Sequence, residues 1–215
     1  MKSTEYNQFI EQFILKYSEG LPGINEQLKM APQHRKPAAD YLKEAKEYKV
    51  AAVLALLVPS TKDDYPGIVL IERASGQDVH ASQISFPGGK QEEGEDVQQT
   101  ALRETEEEIG VPSHAIKLVG PATSLFIPPS NFLVHPFIGY TDSLPEFTIS
   151  ESEVKRVIVP SLSVFLDERN TMNGKFSSAR GYEVTSPYYK IDDVLIWGAT
   201  AMMLSEIVSL LRKLT

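Results

Sequence analysis

Carboxylates crowd one short stretch of the sequence. Residues 86–111 read FPGGKQEEGEDVQQTALRETEEEIGV, and Glu104, Glu107 and Glu108 follow Arg103 in a segment with helical periodicity. Residues three and four apart share one face of a helix, so these side chains are expected to converge at one edge. Like charges at such spacings oppose helix formation by roughly 0.2–0.5 kcal/mol per pair. Something must therefore offset the repulsion.

Two interpretations of this acidic edge are open. A Glu-rich helix face is most often simply solvated surface. Clusters of oxygen ligands are also what Mg²⁺ and Mn²⁺ bind, together with water, in octahedral geometry. A bound divalent ion would invert the local field and bridge the carboxylates to phosphoryl oxygens, so an acidic protein could still hold a phosphate. Phosphoryl transfer depends mainly on positioning and charge neutralisation, so no serine or cysteine nucleophile is required.

The residues around the glutamates have two interpretations each. Arg103 is expected to orient the glutamates through hydrogen bonds, and a plain surface ion pair is the alternative. Glu95 either supports the metal site or stabilises the helix dipole near the helix start. Gly88 and Gly89 either allow a close approach of the backbone to a ligand or only form a turn after proline.

The composition limits the function classes. The 215 residues include 21 Lys and Arg against 29 Asp and Glu, a net charge of −8, which disfavours binding to duplex nucleic acid. The longest apolar run, VAAVLALLV at 50–58, is about half of a membrane span and predicts a buried strand. The opening residues lack the features of a secretory signal. The absence of cysteine excludes disulfides and thiolate chemistry and agrees with a reducing cytoplasm, the expected location.

The elements that would position the glutamates alternate between strands and helices. The strongest helix prediction covers 95–109, with an apolar stripe and Gly110 as the stop. Helices are also predicted near the start, from Phe9, Ile10, Phe13 and Ile14, over 37–48, and at the end from residue 198. Strands are predicted at 50–58, 67–73, 116–120, 133–140, 154–160 and 181–189, with a turn in 84–89. This order predicts an α/β fold around a mixed sheet, divided into an N-terminal helical extension (1–48) and a main domain (49–215).

The spacing of the acidic segment resembles the signature box of the Nudix hydrolases. Every fixed glycine and polar position of that box is present: Gly89, Glu95, Arg103, Glu104, Glu107, Glu108 and Gly110. Thr105 stands where the family has an aliphatic residue, and it still allows packing. The resemblance implies the α/β/α sandwich of that family.

The same resemblance implies an activity and its residues. A nucleoside diphosphate derivative would be hydrolysed at its pyrophosphate by water, with Mg²⁺ or Mn²⁺ held by Glu104, Glu107 and Glu108. Glu104, Arg103 and Glu153 form the implied catalytic set, because a glutamate on a later loop of Nudix relatives often completes the metal or base set. An ordinary exposed glutamate is the alternative for Glu153.

A second segment resembles the coenzyme A pyrophosphatases within the Nudix family. In VLIERASGQDVHASQISFPGG (69–89) the matching positions are Leu70, Arg73, Phe86, Pro87, Gly88 and Gly89, and His80 and Gln83 are similar to bacterial members. Four positions differ from the pattern: Ile71, Ala74, Asp78 and Ser82. The sequence over 188–208 resembles the ending of the same proteins, and Trp197 within it is interpreted as a core residue. The implied products are phosphopantetheine and adenosine 3′,5′-bisphosphate, and the implied substrate contacts are Arg73, His80, Gly88 and Gly89. The alternative for Arg73 is an ordinary ion pair, and the alternative for His80 is a loop histidine without a function.

Other functions stay open at this point. A sibling enzyme could act on NADH, ADP-ribose or a dinucleoside polyphosphate. A Nudix domain can also serve as a ligand sensor without catalysis, although the intact glutamates disfavour that hypothesis. The expected partner is a small nucleotide rather than nucleic acid or membrane, and the helical leader leaves a homodimer contact open.

Overall fold

A computed structural model describes residues 3–33, 35, 40–41, 47–60, 62–74, 83–177 and 183–214. Its helices are α1 (Ser3–Ser18), α2 (Ile24–Leu28), α3 (Val97–Ile109) and α4 (Gly198–Leu211). Its strands are β1 (Lys49–Val58), β2 (Gly67–Ile68), β3 (Leu70–Arg73), β4 (Ile84–Ser85), β5 (Gly88–Lys90), β6 (Lys117–Pro121), β7 (Leu125–Ile127), β8 (Phe132–Tyr140), β9 (Val154–Ile158), β10 (Thr171–Ser177), β11 (Glu183–Ile191) and β12 (Val194–Trp197).

The largest sheet is mixed and centres on β1 and β8. Its path is β2-β1-β8-β6, with β5 also paired to β1 and β7 also paired to β8. The β1 and β8 strands run parallel, whereas the other pairs of this sheet are antiparallel. Two smaller antiparallel sheets have the orders β4-β3-β9 and β10-β11-β12. The predicted α/β class with a mixed sheet is confirmed.

Helices cover both faces of β1. One face places Ala52, Leu54 and Leu56 in a core cluster with residues of α3, and the other places Ala55 and Leu57 in a cluster with α1 and α4. A strand buried on both faces has no polar alternation, which explains why residues 50–58 are continuously apolar. The result is a sandwich of helix, sheet and helix.

Local capping sets the limits of α3. The Asp96 side chain accepts a hydrogen bond from the Gln99 backbone N–H, and the Gln99 side chain accepts one from the Asp96 backbone, forming a capping box. Gly110 ends the helix in the left-handed conformation with φ 73°. The helix therefore begins two residues later than predicted, and Glu95 lies outside it. Thr105 is buried and donates to the Ala101 carbonyl at 2.7 Å, so its hydroxyl is satisfied within the helix.

The N-terminal helices pack onto the same core as α4. Tyr6, Ile10 and Phe13 of α1 are buried there, and the Tyr6 hydroxyl donates to the Leu57 carbonyl at 3.1 Å. Ile14, predicted on the same apolar stripe, is exposed. Most of the helix predicted over 37–48 lies outside the described residues, and the division at residue 48 stays a prediction.

Several short strands were absent from the sequence prediction. The predicted strand 67–73 is two strands, because β2 pairs with β1 whereas β3 pairs with β4 and β9. The predicted turn in 84–89 contains β4 and the start of β5. The strands β7, β10 and β12 were also missed. No helix in the described part of the chain has both the length and the apolar character needed to cross a bilayer.

Candidate active site

The two glycines of the turn contact two glutamates of α3. Gly88 adopts φ 148° and lies against the Ala52 carbonyl and Val53, so a Cβ at this position would collide with β1. A Cβ on Gly89 would overlap the Glu104 carboxylate. The Gly88 N–H donates to Glu108 Oε2 at 2.8 Å. Gly88 is thus required for β5 to approach β1 as closely as it does, and Gly89 leaves the space that the Glu104 carboxylate of α3 occupies.

Three carboxylates meet beside this turn. One oxygen from each of Glu104, Glu108 and Glu153 lies within 4.8 Å of the other two. Glu108 is 1% exposed, whereas Glu153 is exposed. Ser150 connects the two elements, because its N–H donates to the Glu108 carbonyl at 3.0 Å and its carbonyl accepts from the Glu153 N–H at 2.9 Å. The loop before β9 is therefore anchored to the end of α3.

The electrostatics of the cluster favour a cation. Burial raises the pKa of Glu108 to about 7, and the nearby Glu104 and Glu153 charges act in the same direction. The Gly88 N–H and Arg73 oppose this rise in the pKa of Glu108. Burial also raises the pKa of Glu104. Glu104 and Glu108 are thus desolvated carboxylates that repel each other, and together with Glu153 they offer only oxygen ligands. This matches the ligand set of a hard divalent ion.

Arg103 holds the carboxylates on its side of the cluster. Its guanidinium donates to both oxygens of Glu95 at 2.8 and 3.0 Å, to Glu104 Oε1 at 3.0 Å and to Glu107 Oε2 at 2.8 Å. Hydrogen bonds from Arg103, with those from the Glu92 N–H and the Thr100 hydroxyl, lower the pKa of Glu95 to about 2. Glu95 therefore anchors Arg103, and Arg103 orients Glu104.

The structure groups the predicted glutamates differently from the sequence. Glu107 is 54% exposed and lies outside the close group of Glu104, Glu108 and Glu153, so its role as a metal ligand stays a prediction. Spacing on the helix predicts a shared edge but cannot show which glutamate faces the glycine turn.

The predicted substrate contacts are partly described. Arg73 lies at the end of β3 with Nη1 3.3 Å from Glu108 Oε1, and it lines a cavity together with Gly88 and Gly89. His80, Asp78 and Ser82 lie outside the described residues.

The cavity next to the glutamates has a volume of about 560 Å³. Its walls are mainly apolar and come from segments spread along the chain. They include Pro32, Gln33 and Arg35, strand β1, residues 83–86 and 88–90 around β4 and β5, residues 127–130 from the end of β7 onward, the start of β8, and residues 197–200. Trp197, interpreted from sequence as core, lies on this wall and stacks on Phe176 with ring centroids 4.4 Å apart. The sequence analysis missed the cavity because segments distant in the chain assemble it.

Comparison with known proteins agrees with this fold and site. The family model described as the NUDIX domain matches residues 48–176. Nudix hydrolase 3 of Caenorhabditis elegans is 25% identical over 195 residues, which cover 82% of this chain and 80% of that protein. The Nudix hydrolase NudL of Salmonella newport is 29% identical over 158 residues, covering 71% and 79%. The crystal structure of a MutT/nudix family protein from Enterococcus faecalis has a TM-score of 0.54 and 14% identity, covering 87% of this chain and 73% of that one.

A mixed α/β sandwich that presents clustered carboxylates beside a glycine turn suits the metal-assisted hydrolysis of phosphoanhydride bonds. The matched residues make up more than half of the chain, and the chain belongs to the Nudix family. It is a Nudix pyrophosphohydrolase, a class of enzyme that depends on divalent metal ions.

Proposed function

We propose that this enzyme hydrolyses the pyrophosphate bond of coenzyme A or an acyl-coenzyme A. The observation that carries the proposal is that the cluster of Glu104, Glu108 and Glu153 adjoins the cavity. Arg73, Gly88 and Gly89 contact glutamates of this cluster and also line the cavity. A cavity of about 560 Å³ with mainly apolar walls suits a nucleoside or a pantetheine arm. The resemblance of residues 69–89 to coenzyme A pyrophosphatases selects this substrate among nucleoside diphosphate derivatives.

We infer that Glu104, Glu108 and Glu153 hold Mg²⁺ or Mn²⁺, with Glu107 as a further ligand when Arg103 releases it. The bound ion would neutralise the negative charge of the pyrophosphate oxygens. The donor set fits such an ion because it is made only of carboxylates, two of which have raised pKa values.

The remaining chemistry belongs to side chains of this chain. An attacking water adds its oxygen to one phosphorus, the bond to the bridging oxygen breaks, and a carboxylate accepts the proton of the water. Glu153 is the best-placed base because it is exposed, while Glu108 is buried. Arg73 would contact a phosphoryl oxygen from the cavity side, and Arg103 would fix the position of Glu104.

A turnover panel tests the substrate class. Coenzyme A, acetyl-coenzyme A, NADH, ADP-ribose, diadenosine tetraphosphate and oxidised dGTP would each be incubated with enzyme and Mg²⁺ or Mn²⁺. We expect the highest kcat/KM for coenzyme A or its thioester, with adenosine 3′,5′-bisphosphate as one product. A higher kcat/KM for a substrate that lacks the pantetheine arm would contradict the coenzyme A proposal. It would not affect the assignment of the protein as a hydrolase. Ligand binding without turnover of any compound would favour a sensor.

Variants of α3 provide the matched controls. Glu104→Gln and Glu108→Gln keep the shape of the side chain but remove a charge from the cluster, so we expect kcat to fall about 100-fold or more. Glu107→Gln would show whether this exposed glutamate is also a ligand. Glu106→Gln changes a glutamate of the same helix that accepts from the Ser113 N–H instead of joining the cluster. It should retain near-normal turnover.

A further inference from the structure

A cation lies on the wall of the cavity in a segment that precedes the residues matched by the family model. Arg35 lines the cavity, and the match begins at residue 48. Two backbone hydrogen bonds fix this segment: the Gln33 N–H donates to the Thr185 carbonyl at 2.9 Å, and the Arg35 N–H donates to the Pro32 carbonyl at 3.2 Å. The position of Arg35 is therefore defined by β11 and by its own turn.

The Arg35 side chain has donors that remain available to a ligand. Its Nη2 donates to the Phe126 carbonyl in β7. A guanidinium carries five N–H donors, and this bond uses one of them. Burial lowers the pKa of Arg35, and no carboxylate among the described residues acts on it. A partly buried cation against apolar walls is costly unless an anion offsets its charge.

The other cations of the cavity wall differ from Arg35. Arg73 is already paired with Glu108. Lys90 lines the cavity but is exposed to solvent, where water screens its charge. A bound anion would therefore stabilise the charge of Arg35 more than that of Arg73 or Lys90.

The sheet separates Arg35 from the pyrophosphate site. Strand β5, which carries the glycine turn, pairs with β1; β1 pairs with β8; and β8 pairs with β7. Three spacings between neighbouring strands amount to about 14 Å. Arg35 is bonded to β7 at the far side of this distance, so it cannot contact a pyrophosphate held beside Gly88 and Gly89. The cavity thus offers two places for anions.

We propose that Arg35 binds a second anionic group of the substrate, a phosphate monoester or a carboxylate on the part of the molecule that enters the cavity. This inference rests on the proposed function, and it names a specificity determinant from outside the matched domain. In coenzyme A substrates the anion has two sources, the 3′-phosphate of the nucleotide and a carboxylate at the end of an acyl group.

Matched substrate pairs separate the two sources. Coenzyme A and 3′-dephospho-coenzyme A differ by one phosphate, and succinyl-coenzyme A and butyryl-coenzyme A differ by a carboxylate in place of a methyl group. We expect the wild-type enzyme to prefer the more anionic member of one pair by about 10- to 100-fold in kcat/KM. This is the ratio that one hydrogen bond to a charged group produces. The pair that shows the preference identifies the anion.

Variants test whether Arg35 causes the preference. Arg35→Gln should abolish it, and Arg35→Lys should retain part of it, because lysine keeps the charge but not the planar fork. Lys29→Gln is the control, since it removes a positive charge from the same N-terminal region at an exposed ion pair with Glu26. Melting temperatures of all variants report folding, and a general folding defect would lower turnover of both members of a pair equally.

Binding measurements distinguish the failure of this inference from that of the proposed function. The same pairs, together with NADPH and NADH, would be titrated against the metal-free enzyme by calorimetry. If coenzyme A substrates are not turned over, the proposed function fails, and the binding preference alone decides the role of Arg35. Equal affinity of the wild type for both members of every pair overturns the inference. A preference that persists in Arg35→Gln overturns it as well.

Discussion

Gly89 leaves the space in which the Glu104 carboxylate lies, so the turn and the helix depend on each other at a single residue. The same dependence holds for Gly88, whose N–H bonds to Glu108 and whose Cα lies against β1. At this scale the positions of the two carboxylates are set by their fit to a glycine backbone. Charge alone would not position these groups.

Gly89→Ala should lower activity far more than stability. The added methyl group would displace the Glu104 carboxylate, and a misplacement of about 1 Å costs roughly 100-fold in rate. Steady-state kinetics and urea unfolding would measure the two effects. Gly94→Ala is the contrast, because Gly94 has φ 89° and no atom lies within 4 Å of the place its new methyl group would take, so strain lowers stability while turnover persists. Full turnover by Gly89→Ala would contradict this account of the turn.

Glu95→Gln should lower stability in a pH-dependent way. The folded-state pKa of Glu95 is about 2, below its ordinary value of 4.5, because Arg103 donates to both its oxygens. The stabilisation is therefore complete above pH 4.5 and is lost as the pH falls through 2. We expect a cost of about 2 kcal/mol at pH 7.

Urea unfolding of the wild type and Glu95→Gln at pH 7, 5 and 3 would measure this difference. The gap in the free energy of unfolding should narrow at pH 3. A gap that stays constant over this range would assign the loss to packing instead of charge.

At the scale of elements, the N-cap residue Asp96 determines where α3 begins. Asp96→Ala removes the acceptor for the Gln99 N–H, and we expect a loss of about 1 kcal/mol in the free energy of unfolding. Asp96→Asn keeps a capping acceptor and should lose much less. Chemical unfolding followed by circular dichroism would measure both variants, and equal losses would show that the cap is not responsible.

Long elements could be predicted from the sequence, and short ones could not. The β1 and β8 strands and α3 have periodic or continuous apolar patterns over nine or more residues, so their local signal is strong. The β4 and β7 strands have two and three residues, and only their partners β3 and β8 make them strands. The apolar run 67–73 predicts extended backbone correctly, but its division between two sheets depends on tertiary pairing.

The candidate site shows the same limit. The spacing within α3 indicated Glu104 and Glu108, and the family resemblance indicated Glu153, because each belongs to a pattern that the sequence displays. The exposure of Glu107 depends on the angle at which α3 lies on β5 and β9. The spacing of residues along the sequence does not determine this angle. Arg35 has no local pattern, since only the folded chain places it opposite the glycine turn.

At the scale of the molecule, a buried carboxylate joins the N-terminal helices to α4. Glu206 of α4 is 0% exposed and accepts hydrogen bonds from the Gly23 N–H, the Gln27 amide, and the backbone and hydroxyl of Thr123. These donors come from α2 and its N-cap and from the segment before β7. The network therefore connects three parts of the chain.

Glu206→Ala should destabilise the whole fold by about 3 kcal/mol or more, because the buried donors lose their acceptor. Glu26→Ala provides the comparison, since it removes an ion pair with the exposed Lys29, worth under about 1 kcal/mol. Urea unfolding and limited proteolysis near α2 would measure the effect. Equal stability of the two variants would show that the Glu206 network does not hold the helices in place.

Val53 stands between the carboxylate cluster and the cavity: its side chain lies against Gly88, and it also lines the cavity. We therefore expect a change in its volume to affect both the proposed metal site and the proposed substrate cavity. On the opposite wall, around Pro32, Gln33, Arg35 and β7, we expect substitutions to change the preferred ligand without disturbing the carboxylate cluster.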